Sequence, residues 1–361
     1  MSLDTIATLE EGQASVSKAR RVADEVIVTH EAGHMRLAIT ERGYGRLSLA
    51  APAQPISWRG ILAAFEALTN WNSEEVQVIL NRQQWADFAD SLIASGAAVM
   101  VNDHEMTVFP ALFWQMPDLW LSSAPATYPQ VMVQGPHGQH PYRPPKPTGD
   151  MYRRFIPWLD QVFSLRALDP QSDIDLFHGW MNDTRVAAFF DEAGTLDYHQ
   201  TYLAKMAADP HMMPVLGSLD EVPFCYFELY WARENRIGAH YDAGAWDRGW
   251  HVLVGDATKR GADYITAWLP SLMHYMFLAE PRTQVIVGEP ATHHTQQLHN
   301  LTRSGFARVK DFDFPHKRAT LVRLERDYFF DARLWARPNP AEPGKPLQLS
   351  LSSHVRTGAN T

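Results

Sequence analysis

The chain has 361 residues, 41 acidic against 32 basic side chains, 16 histidines and one cysteine, and 45% of it is hydrophobic. That length suggests about two domains with cores of their own; the composition excludes wholesale disorder, and a net charge of −9 excludes a mainly electrostatic nucleic-acid binder. The lone Cys225 excludes a disulfide framework and a cysteine-rich zinc module; with no signal-peptide core and no run of about 18 apolar residues, the chain reads as soluble, cytoplasmic and off the membrane.

The first twenty or so residues are polar and read as loose. From Glu25 to Leu49 an alternating pattern (EVIVTH, MRLAIT, GRLSLA) predicts strands, with Gly33, Gly43 and Gly45 at the turns. Ser57 then precedes Ile61, Leu62, Phe65 and Leu68 at helical spacing, which predicts a capped helix. EEVQVIL (74–80) reads as a strand, QWADFADSLIASG (84–96) as a helix ended by Gly96, and AAVMV (97–101) and EMTVFPALF (105–113) as strands. Together they make an α+β unit of about 110 residues.

Residues 135–149, GPHGQHPYRPPKPTG, hold five prolines and three glycines, too many for a helix or a central strand. They predict a semi-rigid linker between an N-terminal accessory domain (1–134) and a second domain (150–335), with a disordered tail at 336–361. No repeat of 20–50 residues is visible, although two domains of similar layout would escape such a search.

In the second domain, FSLRALDP (163–170) predicts a strand and SDIDLFHGWMND (172–183) a helix capped by Ser172. PVLGSLDEVPFCYFELYWA (214–232) reads as a hairpin turning at Asp220–Pro223, and RGWHVLVGD (248–256) as a further strand. A helix interrupted at Pro270 (265–280), a strand TQVIVGEP (283–290), a short helix stopped by Gly305 (296–306) and two closing strands follow. Between strand 248–256 and its helix lies the turn Lys259–Tyr264. Backbone N–H groups at the positive end of a helix dipole bind phosphate oxygens; Lys259 and Arg260 add charge, and Gly261 and Ala262 allow close approach.

On YRRF (152–155), GWMNDTRV (179–186), PFCYFELYWARENRIGAHYD (223–242), DRGWHVLVGD (247–256), KRGADY (259–264), EPRTQVIVGEP (280–290) and FDFPHKRATLV (312–322), the second domain resembles the GNAT-fold acyltransferases of hydroxamate-siderophore biosynthesis, the N-hydroxylysine acetyltransferases among them. FWQMPDLWLSS (113–123) extends the likeness loosely into the first domain, whose counterpart in relatives is a degenerate partner.

The resemblance implies an α+β GNAT fold and transfer of an acetyl or other short acyl group from acyl-CoA to an N-hydroxylated diamine or diamino acid. The acceptors it allows are hydroxylysine, hydroxyornithine, hydroxyputrescine and hydroxycadaverine. It further implies a homodimer, no metal, and an amine N-hydroxylase and a siderophore synthetase as pathway partners. By the resemblance, Val252, Leu253 and Val254 pair with pantetheine, Lys259, Arg260, Gly261, Ala262, Asp263 and Tyr264 hold the pyrophosphate, and His251 is the general base. Alone, His251 would read as packing beside Trp250. The family's acid and asparagine after the Glu-Pro pair are here replaced within ATHHT (291–295), so either Glu289 or His293 partners the histidine. Acceptor recognition falls to Trp180, Asn182, Trp231, His240, Tyr241 and Asp242, with Asp242 suited to an ammonium and Arg233 or Arg282 to a carboxylate. FPHKR (314–318) has no evident task.

Two other classes remain open to the sequence. One is an inactive GNAT-like binding subunit. The other is an Fe(II)/2-oxoglutarate oxygenase built on His240, Asp242 and His299 with Arg308 for the co-substrate, against which His299 falls in a predicted helix.

Overall fold

The computed structural model describes residues 18–338 apart from 31, 32, 44, 73–76, 124, 126 and 127. Of the first twenty or so residues expected to be loose, 1–17 lie outside the described residues and the rest begin a strand, Lys18–Val22; the beginning of the strand expected at 74–80 and all but the first residues of the tail also lie outside them.

Two sheets organise the chain. The first is built from β1 (Lys18–Val22), β2 (Glu25–His30), β3 (Gly33–Gly43), β4 (Arg46–Leu49), β6 (Gln77–Asn81), β7 (Val99–Asn102) and β8 (Glu105–Val108), in the order β1-β2-β3-β4-β6-β8-β7. Alternation drives it: Val26 and Val28 of β2 point into the core while their neighbours do not. Helix α1 (Trp58–Thr69) connects β4 to β6, and the Ser57 hydroxyl caps it by accepting the Gly60 N–H at 3.1 Å. Helix α2 (Ala86–Ser95) ends on Gly96 in the left-handed region, as expected. The predicted strand 105–113 stops at Val108, because Pro110 starts a short helix α3 (Pro110–Phe113).

The stretch at 135–149 is a packed strap rather than a linker. Strands β9 (Met132–Gly135) and β10 (Gly138–Pro141) form a small ribbon. Beyond it Arg143, almost fully buried, forks onto the Glu234 carboxylate between the rings of Trp231 and Trp246. Lys146 then donates to the Met206 and Ala207 carbonyls. A forked ion pair and two cation–π contacts fix what proline content alone leaves free.

The second sheet runs β11 (Asp150–Ile156), β12 (Gln161–Ala167), β13 (Met212–Leu219), β14 (Val222–Trp231), β15 (Arg248–Val254), β16 (Val285–Gly288), β18 (Arg318–Glu325) and β17 (Ala307–Asp313), in that spatial order. Helices α4 (Ile174–Met181), α5 (Thr184–Phe190) and α6 (Leu196–Ala208) precede β13; α7 (Ala262–Ala279) joins β15 to β16, α8 (Thr295–Arg303) precedes β17 and α9 (Arg326–Asp331) follows β18. Asp173, not Ser172, stands at the start of α4; its carboxylate is already engaged by Arg166 and the Asp169 N–H. Pro270 does not break α7, since buried Leu269, Leu272, Met273, Met276 and Phe277 hold the helix on both sides of it.

From β12 onward the second sheet repeats the first in order and sense: antiparallel strands, one parallel pair spanned by a helix (β4/β6 over α1, β15/β16 over α7), then two more antiparallel pairings. The layout repeat that inspection of the letters misses is real.

One hydrophobic core serves both sheets, and a polar cluster lies inside it. Trp114 stacks on Trp120 and on Trp335, with centroids 4.6 and 4.9 Å apart. Buried Arg154 lies over Trp114 and donates to Asn70 at 2.6 Å and to the Trp335 carbonyl at 2.9 Å. Ala336 is buried and β19 (Arg337–Pro338) pairs with β5 (Trp71–Asn72), so the ordered chain continues past the predicted start of the tail. Burial raises Glu66 to a pKa of about 7, although Arg154 and a 3.1 Å bond from the Trp120 indole pull it down.

A carboxyl group raised above its unfolded value stabilises fully below about pH 4.5 and loses that contribution as pH climbs through about 7. Relative to Glu66→Gln, the wild-type melting temperature should therefore fall between pH 5 and pH 8, by the equivalent of up to about 3 kcal/mol. Parallel pH profiles for the two proteins would show that Glu66 does not titrate in this range.

Candidate active site

Strand β15 is paired with β14 along its whole length, but with parallel β16 only at Arg248↔Ile286 and Gly249↔Val287. Beyond Gly249 the two strands part. A side chain at Gly249 would displace the buried Tyr230 ring, since an added Cβ would lie 2.1 Å from it. His251 stands just inside the opening, directly across from Glu228 on β14.

The imidazole is held between two buried carboxylates. Nδ1 is 2.9 Å from Glu228 Oε2, and Nε2 is 2.9 Å from Glu289 Oε1. Tyr202 and Tyr226 donate to the other Glu228 oxygen at 2.5 and 3.1 Å, and Tyr230 donates to Glu289 Oε2 at 2.7 Å. Arg236 Nη2 approaches Glu289 Oε1 at 3.5 Å, and Lys317 Nζ donates to the Glu289 carbonyl at 2.8 Å. Burial disfavours the charged imidazole, but the Glu289 charge and hydrogen bonds to both carboxylates overcome it and raise the pKa to about 9. Burial likewise opposes the Glu289 charge; the facing imidazolium and its hydrogen bond prevail and lower it to about 2. Glu228 is lowered too, its burial outweighed by bonds from His251 and the two tyrosines. The group at rest is thus an imidazolium donating from both nitrogens.

Of the predicted partners, Glu289 meets His251, whereas His293 is exposed with its ring 4.3 Å from that of His294. Glu228 went unpredicted. Its signal is the one charged residue inside PFCYFELYWA, on the face of the strand shared with Tyr226 and Tyr230. FPHKR acquires a task as well, because it carries Lys317 to Glu289.

The Gly255 N–H bonds to the Phe224 carbonyl, and main-chain groups alternate along a strand; those of Val252 and Val254 therefore face the opening, while Leu253 faces β14. Arg185 occupies the Val254 carbonyl at 2.7 Å. Helix α7 begins at Ala262, so Ala262, Asp263 and Tyr264 form its first turn rather than part of the preceding loop. No side chain caps this end; Gly261 has φ +104° with open space around it, and Lys259 lies 5.5 Å from the Tyr264 ring. Arg260 is exposed, and Asp263 pairs with Arg337.

The predicted acceptor residues scatter. Trp180 rests against Gly255 at the end of β15. Asn182 ties down the loop at Gly194 through both its amide atoms. Trp231 lies between Arg143 and Arg248. His240 packs on Phe312 and Phe314, Tyr241 donates to Asp247, and Asp242 is exposed. Arg233 is spent on the Gln139 and Ala243 carbonyls, and Arg282 on Glu280 and the Tyr128 carbonyl. His240, Asp242 and His299 form no metal site, as no group of three or more His, Cys, Asp or Glu able to hold a metal occurs among the described residues. Nor, among them, is any helix long and apolar enough to cross a membrane.

A parted parallel pair, a helix N terminus at its mouth and a titratable group in the opening define a GNAT acyltransferase, and residues 169–314 match the acetyltransferase (GNAT) domain family. An N(6)-hydroxylysine O-acetyltransferase of Escherichia coli is 39% identical over 255 residues, 70% of this chain and 79% of its own length. A putative lysine N-acyltransferase of Schizosaccharomyces pombe is 35% identical, over 68% of this chain and 75% of its own. A hydroxyornithine transacylase of Ajellomyces capsulatus is 45% identical over 60% of this chain, which spans 50% of that longer protein. The chain belongs to this family of CoA-dependent acyltransferases.

Replacing Glu228 by Gln removes one of two anions facing the imidazole, and the His251 pKa, read from ring resonances by NMR, should fall from about 9 by at least about one unit. A wild-type value near the ordinary 6.5 would mean that the resting imidazole is neutral.

Proposed function

We propose that the chain transfers a short acyl group, acetyl foremost, from acyl-CoA to the nitrogen of an N-hydroxylated diamine or diamino acid, making a hydroxamate. The observation that carries this reading is His251 between Glu228 and Glu289 at the point where β15 leaves β16. Family membership supports the acceptor class, although relatives are named for acylation at oxygen in one case and at nitrogen in another.

Main-chain groups of Val252 and the Val254 N–H are suited to pair with pantetheine, as a further strand would. Lys259, Arg260 and the uncapped first turn of α7 suit the pyrophosphate. A hydroxylamine nitrogen is a good nucleophile when neutral, so no strong base is needed before attack. The nitrogen adds to the thioester carbonyl as the N–C bond forms, and the C–S bond then breaks. The His251 imidazolium gives its Nε2 proton to the departing sulfur as its hydrogen bond to Glu289 breaks, matching a thiol of pKa about 8.5 to an acid of about 9. The proton leaving the attacking nitrogen restores the imidazolium, and the balance is one hydroxamate and one thiol. His251 in this scheme is an acid first and a base second, with Glu289 and Glu228 fixing both its nitrogens.

We place the enzyme in the cytoplasm, where acyl-CoA is made, and retain the homodimer that the resemblance implies. An enzyme oxidising an amine nitrogen must supply its acceptor, and a ligase joining hydroxamate units must consume its product.

Thiol release from acetyl-CoA and succinyl-CoA, measured against N-hydroxylated and plain diamines and diamino acids, should depend on the N-hydroxyl group. The product should give a coloured ferric complex, which N-acylation allows and O-acylation does not. No release with any acceptor, despite acyl-CoA binding, would leave a binding subunit instead. His251→Ala should lower turnover about 10²- to 10⁴-fold while acyl-CoA affinity stays nearly constant; an unchanged turnover would remove His251 from the chemistry.

A further inference from the structure

Among the described residues around His251, Arg236 is a cation held only loosely by its protein contacts. Arg236 opens a short 3-10 turn, Arg236–His240, whose start is capped by the Asn235 side chain on the Ile237 N–H. Both neighbours are anchored: Ile237 is fully buried, and Asn235 follows Glu234, which Arg143 grips. The Arg236 side chain is 46% exposed, its guanidinium lies 5.1 Å above the Phe314 ring, and its approach to Glu289 is a loose 3.5 Å. It therefore keeps most of its five donors free for a second anion.

Charge points the same way. His251, Arg236 and Lys317 converge on one site, where, among the described residues, Glu228 and Glu289 are the carboxylates in contact with His251 and Arg236, and Lys317 donates to the Glu289 main-chain carbonyl. Three cations against two anions leave a surplus of positive charge at the mouth, which disfavours the lone distal ammonium of a diamine and favours an acceptor end whose ammonium is balanced by a carboxylate. Distance agrees as well. Through the shared Glu289 Oε1, the spacings of 3.5 and 2.9 Å put Arg236 Nη2 within about 6.4 Å of His251 Nε2. The reacting nitrogen of a five- or six-carbon diamino acid lies about 6–8 Å from its carboxylate carbon along an extended chain.

We infer that Arg236 receives the α-carboxylate of the acceptor, so that the acceptor is an N-hydroxylated diamino acid rather than a diamine. The assignment rests on acyl transfer to an N-hydroxylated amine beside His251. Phe314 holds the guanidinium plane in place, and the fork of two N–H donors matches a carboxylate in a way an ammonium cannot.

The test is thiol release from saturating acetyl-CoA with N6-hydroxylysine and with N-hydroxycadaverine, which has the same chain without the carboxylate. Wild type should favour the amino acid, and Arg236→Gln should cut the ratio of the two kcat/KM values about 10- to 100-fold, chiefly through KM for the amino acid. Arg236→Lys should restore part of the ratio, and Arg236→Glu should invert it. An unchanged KM for acetyl-CoA in each variant shows that the fold and the CoA site are intact. A wild type indifferent to the carboxylate, or a ratio unmoved by Arg236→Glu, overturns the assignment while leaving acyl transfer standing. If wild type binds acetyl-CoA and acylates neither compound, the reaction itself is wrong and the assignment falls with it.

Discussion

Everything at this site follows from two parallel strands that pair for two residues and then part. A β-strand with one edge unpaired exposes hydrogen-bonding groups that must be satisfied by something. Here the unpaired stretch is short and half-buried, and it turns the Val252 main chain and the Val254 N–H to the gap, the Val254 carbonyl being taken by Arg185. A sheet that closed fully would have no room for a substrate and no reason to place His251 at an edge. Gly249 marks the last paired position, and its missing side chain is what lets Tyr230 reach Glu289 from the neighbouring strand.

The second constraint is the cost of charge in that gap. Two nearly dry carboxylates on either side of one imidazole would be strongly unfavourable if the imidazole were neutral, because like charges would face each other without compensation. Protonation of the imidazole resolves this, three tyrosine hydroxyls satisfy the remaining carboxylate oxygens, and Lys317 adds a positive charge on the Glu289 main-chain carbonyl. The polar seam also lies between two small apolar clusters, one around Phe177, Leu203 and Leu253, the other around Val287, Phe312 and Phe314. Those flanks limit water and hold the tyrosines at fixed angles. The geometry that suits proton transfer is the same geometry that makes burying the carboxylates tolerable.

How much of this the sequence made legible depends on the range of the interaction. Strands 25–49, the Ser57 cap and the Gly96 stop rest on neighbours in sequence, and all three were readable. The GNAT fold was readable through the resemblance, and the proposal that His251 and Lys259–Tyr264 carry the chemistry rests on the same likeness. What escaped was decided at long range. Pro110 divides one predicted strand, whereas Pro270 sits within a helix that tertiary packing sustains. The strap at 135–149 looks free until Arg143 meets Glu234, ninety-one residues on. Glu228 was hidden in an aromatic run, and Tyr202 lies on α6, which has only His199, Leu203 and Met206 buried and so gives a weak periodic signal. Acceptor contacts were least legible: Trp180, Asn182 and Trp231 are engaged within the protein, because aromatic and amide side chains serve packing and loop closure as readily as ligands.

The two sheets share a topology, yet only one carries chemistry, and the difference lies in how each treats the same two features. In the first sheet, β4 pairs with β6 over three of its four residues, so no opening forms. The connecting helix α1 is buried from Gly60 to Thr69, and its own Ser57 side chain occupies the N terminus by accepting the Gly60 N–H. In the second sheet, β15 runs on past its pairing with β16, and α7 starts at a glycine with no side-chain cap. An uncapped helix start is a deficit in stability of about 1 kcal/mol, and an unpaired strand edge is another. Both deficits stand where the substrate would supply the missing hydrogen bonds. The first sheet has closed the equivalent gaps with its own atoms and contributes instead the aromatic core on which α7 and the second sheet are seated.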